Sequence, residues 1–308
     1  MDLQQRQDSK SAKHNLFYIF GSFCLLLFII DYISLRVSIS GHLRDVTVVH
    51  APRPLMYTFF EPVEGGCCGM SEQAHEDLVK AWENAWQSYG WDTKVLSESD
   101  AKRHPDFDSF QEKLIEADVN EYDRRCFWRW LAMANLEDGG WISDYDNFPL
   151  TLTADIGIEL GKLPGFKSWQ LWVPSLLNAD RESWNKIVKL MMDTISPDLD
   201  VKTISDMQLL LYLHNHLSEQ EMGVSVWTNE VLPGFPYIRG GEGKGPKIDC
   251  SVAQSYLAAH LSHRDSHEAF EESHTYPRIE GMTESLHAEK RGDAAHIMLR
   301  DYREKCVE

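Results

Sequence analysis

Two aspartates separated by one residue, Asp144 and Asp146, directly follow the short apolar run Trp141–Ser143. We interpret this run as a strand, in which residues i and i+2 point to the same side, so the two carboxylates should project together. Carboxylate oxygens are the ligands that Mg²⁺ and Mn²⁺ prefer. Open α/β sheets bind their ligands at the carboxyl ends of strands. The sequence therefore predicts a site for Mn²⁺ or Mg²⁺ at this pair.

A helix and two glycines precede this strand and must position it. The helical period from Tyr122 to Glu137 places four apolar residues on one stripe. Asp138 and the glycines Gly139 and Gly140 follow as a stop signal, and Gly139 is expected to adopt the left-handed conformation at the end of the helix. The glycines are thus predicted to be structural rather than catalytic. The stripe consists of Phe127, Trp130, Leu131 and Ala134.

The segments upstream predict a parallel sheet. Leu55–Phe60 is rich in aromatic residues and is stopped by a proline, a helix begins at Ser71, and Thr93–Leu96 is typical of a second strand. A strand, a helix and a strand in this order form a parallel pair with the helix on one face. The fold class is therefore predicted to be α/β.

Later elements follow from shorter patterns. Trp169–Pro174 is expected to form a strand, whereas Arg181–Met192 and Ser205–Leu217 are expected to form helices. Residues 233–247 are predicted to form a Gly/Pro-rich loop. The polar, His-rich segment from residue 264 to residue 308 is expected to wrap the surface of the domain.

The N-terminal forty residues predict a membrane anchor. The run of residues 16–35 is interrupted only by Asp31, and about 20 helical residues span a hydrocarbon core of ~30 Å. Residues 1–15 carry basic side chains and are placed in the cytosol. Residues 36–54 suit a stem, and residues 55–308 a lumenal domain. A cleaved signal peptide is the alternative, and either interpretation places the domain in the secretory lumen or outside the cell.

Charge and cysteine content narrow the function classes. The 308 residues carry a formal net charge of −18, which argues against a nucleic-acid partner because such a partner requires a basic face. Six cysteines include Cys24 in the membrane run, which leaves an odd number for the domain. At least one of these is therefore expected to stay free or to pair between chains. No cysteine or histidine spacing typical of structural zinc is present in the sequence.

The segment from Tyr122 to Leu150 resembles the DXD glycosyltransferases, specifically the fungal-type initiating mannosyltransferases and the capsular-polysaccharide-type transferases. Their motif runs through an arginine, a short apolar helix, two glycines, an aromatic or aliphatic pair, the DXD aspartates and a trailing Pro-Leu. The matching residues are Arg129, Leu131, Gly139, Gly140, Trp141, Ile142, Asp144, Asp146, Pro149 and Leu150.

This resemblance implies a GT-A fold, that is, a Rossmann-like nucleotide-diphospho-sugar transferase domain behind the transmembrane helix. It implies that Asp146 coordinates the cation, that Asp144 contacts the sugar or ribose beside the metal, and that Arg129 lies beneath the donor site. The family usually has an acidic residue three positions before the arginine, where this chain has Cys126. Asp123 is a candidate substitute, and the identity of the sugar is therefore not carried over.

Three further residues are candidates for the site. His260 resembles the histidine that completes the metal site near the C-terminus of many GT-A enzymes, with a surface histidine as the alternative. Asp206, at the start of an apolar helix, is a candidate acidic residue near the reacting carbon, although it or Ser205 could equally be the N-cap. Tyr57 could stack on the nucleotide base or pack in the core. His214 and His216 are interpreted as ordinary histidines on a helix surface.

Together these features predict a single-pass type II membrane protein of the Golgi. Its lumenal domain would move a hexose from a nucleotide-sugar donor to a glycan or glycoconjugate acceptor, and the resemblance favours retention of the anomeric configuration. No carboxylate is assigned as nucleophile or base, and Asp146→Asn is expected to spare the fold. The alternatives are a lumenal metal-dependent hydrolase using Asp144, Asp146 and His260, and a non-catalytic membrane-tethered module that binds glycan or nucleotide.

Overall fold

The computed structural model describes residues 52–307 apart from 63–65, 67–68, 200, 202, 242–243 and 273–274. The chain divides into two units, Met1–Ala51 and Pro52–Glu308, and all of the described residues belong to the second unit. The predicted cytosolic tail, the predicted anchor at 16–35 and the predicted stem as far as residue 51 lie outside the described residues. Within the described residues, no helix has the length and apolar character needed to cross a bilayer.

Strands and helices are interspersed along the unit. In chain order the strands are β1 (Leu55–Phe59), β2 (Asp92–Leu96), β3 (Gly140–Ser143), β4 (Asn147–Pro149), β5 (Phe166–Ser168), β6 (Leu176–Ala179), β7 (Val224–Trp227), β8 (Val231–Pro233), β9 (Tyr237–Ile238), β10 (Lys247–Ile248) and β11 (Ala258–His260). The helices are α1 (Glu72–Ser88), α2 (Glu98–Ala101), α3 (Phe107–Glu116), α4 (Glu121–Ala134), α5 (Ala154–Gly161), α6 (Arg181–Thr194), α7 (Asp206–His216), α8 (Glu219–Met222), α9 (Cys250–Ala253), α10 (His263–Glu271) and α11 (Arg291–Tyr302). A 3₁₀ turn spans Glu284–Leu286, and a π-helical turn spans Arg303–Val307.

The central sheet has six strands in the order β2-β1-β3-β6-β5-β7. β1 pairs in parallel with both β2 and β3, which confirms the parallel unit predicted from the strand–helix–strand pattern. β6 is antiparallel to β3 and β5, and β5 is parallel to β7. The fold is therefore mixed α/β with a parallel-rich sheet, an architecture compatible with the Rossmann-like class. A second sheet joins β4, β11 and β8, and β9 pairs with β10.

Two helices begin at the serines that the sequence indicated. The Ser71 side chain accepts a hydrogen bond from the backbone N–H of Ala74, and the Ser205 side chain accepts one from Gln208, both at 3.2 Å. Each serine thus pairs a helix N–H group that has no partner within the helix. The N-cap of α7 is therefore Ser205.

Hydrophobic clusters lie on both faces of the central sheet because successive strand residues point to opposite sides. Met56 and Trp141 belong to the cluster that also buries α1, while Tyr57 and Ile142 belong to the cluster that buries α4. The first cluster is rich in tryptophan, with Trp82, Trp86 and Trp91 all fully buried.

Some predictions for the later segments were wrong. Residues 169–174 form a reverse turn between the antiparallel strands β5 and β6 rather than a strand, and Leu171 adopts a left-handed conformation with φ 51°. The C-terminal segment does not merely wrap the surface, because α11 packs on α1 and buries apolar residues spaced four apart. Its polar composition concealed this stripe, which consists of Ala294, Met298 and Tyr302.

A disulfide fixes the chain that follows α11. Cys250 in α9 is bonded to Cys306, 56 positions later, and Gln254 donates a side-chain hydrogen bond to the Cys306 carbonyl at 2.6 Å. Closing a loop of this length stabilises a fold by about 4 kcal/mol in the chain-entropy model. Among the described residues, Cys126 is the free cysteine.

Candidate metal centre

Asp144 and Asp146 lie in a turn, not in a strand. β3 ends at Ser143, and the backbone N–H of Asn147 donates to the Asp144 carbonyl at 3.0 Å, which closes the turn before β4. The Asp144 N–H donates to the Ser175 carbonyl at 2.8 Å. The alternation argument from the sequence was therefore wrong in its geometry. The two carboxylates nevertheless converge, because the turn brings them to the same end of β3.

His260 reaches this turn through strand pairing. β11 runs antiparallel to β4 with His260 opposite Asn147, and the Leu261 N–H donates to the Asp146 carbonyl at 2.8 Å. The His260 Nε2 atom lies 3.3 Å from Asp146 Oδ1 and 3.8 Å from Asp144 Oδ2. One ligand atom from each of the three residues lies within 4.8 Å of the others, so this group could bind a metal ion.

Each carboxylate of this Asp-Asp-His group presents one oxygen to an arginine and the other to His260. Arg129 donates to Asp144 Oδ1, and Arg291 donates to Asp146 Oδ2 at 2.8 Å. The oxygens on the His260 side are Asp144 Oδ2 and Asp146 Oδ1. Two carboxylate oxygens and one imidazole nitrogen form a donor set that suits a divalent cation. The arginines thus leave the three converging atoms as the metal-binding face.

A second contact orients the imidazole. His260 Nδ1 lies 3.0 Å from the side-chain oxygen of Gln170, in the turn between β5 and β6. An Nδ1–H that donates to this oxygen leaves the Nε2 lone pair directed at the aspartates, as in histidines that ligate metals. Gln170 was not identified from the sequence, because nothing in its local pattern distinguishes it from other turn residues.

The electrostatics of the group favour an ionised Asp146. Burial opposes ionisation of this carboxyl, but His260 and Arg291 outweigh that effect and lower its pKa to about 2. Burial raises the pKa of Asp144, although Arg129 opposes the shift. Burial alone would lower the pKa of His260, and the neighbouring carboxylates reverse this and raise it. The Asp146 carboxylate is therefore charged throughout the physiological pH range.

Asp206 holds Arg129 in place. Its carboxylate accepts hydrogen bonds from Arg129 Nε at 2.9 Å, from Trp130 Nε1 at 3.0 Å and from the Met207 N–H at 2.8 Å. Only 4% of Asp206 is exposed. The sequence placed this acid near the reacting carbon, but a carboxylate engaged by several donors is better suited to positioning Arg129 than to attacking a substrate.

A cavity of about 370 Å³ opens beside the Asp-Asp-His group. Its wall includes the three ligands, both arginines, Asp206 and Cys126, together with the aromatic residues Phe59, Phe60 and Tyr145. The Phe60 and Tyr145 rings are 5.5 Å apart in an edge-on arrangement. The volume lies within the ~300–1,000 Å³ range of small-molecule sites.

Tyr57 does not line this cavity. It is 8% exposed and packs with the second core cluster, because it faces the side of β1 that α4 covers. The aromatic residues at the cavity instead come from the end of β1, from the DXD turn and from the start of α4. His214 stacks on Trp227 at 4.6 Å, and His216 contacts the Tyr212 carbonyl at 2.8 Å, so neither belongs to the Asp-Asp-His group.

Arg291 is a second residue of the site that sequence reasoning missed. It lies 145 positions after Asp146 and is carried by α11, in the segment that the composition assigned to the surface. Only its buried environment, 3% exposed, distinguishes it from other arginines of the tail. No local spacing could have revealed it, since the contact arises from the packing of α11 on α1.

The fold and this site together define an α/β protein with an Asp-Asp-His group, able to bind a metal ion, at the carboxyl end of a central strand. Residues 41–233 match the model of a family described as a domain of unknown function, DUF8765, and the chain belongs to that family. The matched range contains Arg129, both aspartates of the turn and Asp206, whereas His260 and Arg291 lie beyond it. No curated protein and no solved structure matches the chain.

Proposed function

We propose that this protein is a glycosyltransferase that uses a divalent cation, Mn²⁺ or Mg²⁺, to move a hexose from a nucleotide-diphosphate sugar to a glycan or glycoconjugate. The observation that carries the proposal is the convergence of Asp144 Oδ2, Asp146 Oδ1 and His260 Nε2 beside a cavity of about 370 Å³. The DXD resemblance of residues 122–150 supplies the reaction class. It also favours retention of the anomeric configuration.

The residues present suit this chemistry. Asp144, Asp146 and His260 would hold the cation, which when bound supplies positive charge next to the leaving diphosphate. Arg129, fixed by Asp206, holds Asp144 in its orientation. The aromatic wall offers apolar surface to a base or a sugar ring, and the partly enclosed shape limits the access of water.

A donor-binding experiment tests the proposal. The full-length chain is titrated with a panel of nucleotide sugars in Mn²⁺ and again with a chelator, and transfer to glycan acceptors is followed for every donor that binds. We expect one donor to bind at least about tenfold more weakly in chelator, because a bound cation would supply positive charge that attracts the diphosphate. If every donor bound equally well in Mn²⁺ and in chelator, the cation would have no role in donor binding.

Other outcomes of the same experiment separate the competing functions. Metal-dependent binding without transfer to any acceptor would indicate a non-catalytic module. Metal-dependent cleavage of the donor or of other esters without any acceptor would indicate a hydrolase. The absence of binding to every nucleotide sugar would overturn the transferase proposal itself.

We also propose that residues 16–35 anchor the protein in the Golgi membrane with the domain in the lumen. The run of apolar residues motivates this topology, and the Cys250–Cys306 disulfide is typical of proteins in oxidising compartments. We expect the full-length chain to remain in the membrane fraction after alkaline carbonate, to be protected from protease in sealed vesicles and to co-localise with a Golgi marker. Recovery of a soluble chain lacking residues 1–40 would replace the anchor with a cleaved signal peptide.

A further inference from the structure

Arg291 connects two of the metal-binding residues. Its Nη1 atom donates to Asp146 Oδ2 at 2.8 Å and also to the Leu261 carbonyl at 3.1 Å, in the residue next to His260. One guanidinium atom thus holds the Asp146 side chain and the backbone beside His260. The arginine lines the same cavity as the three ligands.

The hydrogen-bonding capacity of this guanidinium is incompletely used. Among the described residues, Nη1 makes both bonds to oxygen, while Nη2 donates only to the sulfur of Met70 at 2.7 Å, and a thioether is a weak acceptor. The Nε atom is buried and has no hydrogen-bond partner among the residues that the structure describes. A buried charged group is usually paired more fully than this. Arg291, which lines the cavity, therefore carries a positive potential that its hydrogen-bond partners satisfy only in part.

The charges around the site indicate which kind of ligand the positive potential of Arg291 would attract. Three carboxylates, those of Asp144, Asp146 and Asp206, face the guanidinium groups of Arg129 and Arg291. With a neutral His260 the cluster carries a small negative charge, and a bound divalent cation makes it positive. The cation would then lie close to Arg291 across the Asp146 carboxylate, and the two repel each other in a site of low dielectric. An anion that contacts both would remove this repulsion.

We infer that Arg291 couples the metal site to an anion of the diphosphate type, so that cation and anion each bind more tightly when the other is present. The identity of the anion rests on the proposed function, whereas the coupling rests on the contacts of Arg291. Binding of one ligand strengthens binding of the other by the same factor, because coupling is reciprocal at equilibrium. The cation alone is expected to bind weakly.

Equilibrium dialysis of the full-length chain tests the coupling, with Mn²⁺ alone, inorganic pyrophosphate alone and both together. Soluble Mn²⁺–pyrophosphate complexes equilibrate across the membrane, so the excess on the protein side measures only what the protein binds. We expect each ligand to raise the affinity for the other at least about tenfold, within the usual range of coupling energies. In Arg291→Gln we expect this factor to fall below about threefold, with Mn²⁺ alone bound at least as well as by the wild type.

Two further variants control this test. Arg300→Gln removes an exposed arginine from the same helix and should leave the coupling unchanged. Arg291→Lys keeps the charge and should retain more coupling than Arg291→Gln, and it serves as the test variant if circular dichroism shows that the glutamine variant is unfolded. Mn²⁺ bound by the wild type equally tightly with and without pyrophosphate would overturn the inference whatever the variants do. Unchanged coupling in a folded Arg291→Gln would also overturn it.

The experiment separates this inference from the proposed function because it contains no sugar. Coupling in dialysis with no transfer from any nucleotide sugar would refute the transferase and leave the coupling intact. Transfer that depends on Mn²⁺, without coupling to pyrophosphate, would refute the role of Arg291 alone. No binding of Mn²⁺ under any condition would refute both.

Discussion

Asp146→Asn is expected to abolish Mn²⁺ binding and to destabilise the domain at the same time. The substitution replaces a carboxylate, with a pKa lowered to about 2, by a neutral amide that is a poor ligand for a hard divalent cation. It also leaves Arg291, 3% exposed, without its charged partner. Removing one member of a buried ion pair costs about 3–5 kcal/mol, and an amide oxygen that still accepts from Arg291 offsets part of this.

The expected loss of stability reverses what the sequence suggested, namely that the fold would survive because the two carboxylates repel each other. A loss of about 2–3 kcal/mol corresponds to a melting temperature about 4–6 °C lower for a domain of this size. Equilibrium dialysis with Mn²⁺ and thermal unfolding by circular dichroism measure the two effects on the same sample. Under the proposed function, metal-dependent transfer should be lost together with Mn²⁺ binding, since several kcal/mol of leaving-group stabilisation would disappear.

Asp155→Asn is the matched control. Asp155 is an exposed aspartate in the first turn of α5, and its substitution should change neither Mn²⁺ binding nor the free energy of unfolding by more than a few tenths of a kcal/mol. Mn²⁺ bound normally by Asp146→Asn would remove Asp146 from the ligand set. An unchanged melting temperature would show that the contact with Arg291 contributes little to stability.

The parts of the site that were predictable are those encoded within one short stretch of chain. The apolar stripe of α4 and the Asp-x-Asp spacing depend on residues at most four positions apart, and periodicity reveals such patterns. Arg129 belongs to the same stretch and contacts Asp144 across one helix–strand connection. The exact shape of the Asp144–Asp146 turn was not predictable, because three residues are too few for periodicity to distinguish a strand from a turn.

The remaining parts come from packing between distant segments. His260 reaches Asp146 through the pairing of β11 with β4, and Arg291 reaches it through the packing of α11 on α1. His260 was proposed only through a family resemblance, and Arg291 was not proposed at all. Tyr57 shows the opposite error, because it was a candidate for the site but packs in the core. The side chains of β1 alternate between its two faces, and Tyr57 lies on the face that the core covers. Long-range pairing, not local spacing, therefore decides which polar residues complete this site.

The sequence correctly predicted a left-handed conformation for Gly139 but wrongly placed this residue at the end of the helix. Its φ is +69°, as predicted, but α4 already ends at Ala134, so Gly139 lies in the link to β3 and not at the helix terminus. A Cβ built on it would lie 2.4 Å from the Ala179 carbonyl oxygen, 2.7 Å from the Asp180 carbonyl carbon and 2.8 Å from the Arg181 nitrogen. All three atoms are backbone, at the junction of β6 and α6.

Gly139→Ala is therefore expected to cost about 2–5 kcal/mol, from left-handed strain of about 1–2 kcal/mol and overpacking of about 1–3 kcal/mol. Gly281→Ala is the matched control, because Gly281 has a φ of +73° but a Cβ added there would meet no heavy atom of the described residues within 4 Å. It should lose only the strain contribution. Urea unfolding of both variants gives the difference, which isolates the clash at the β6–α6 junction. Equal losses in the two variants would show that this junction yields to the methyl group, and that Gly139 is required for its backbone conformation alone.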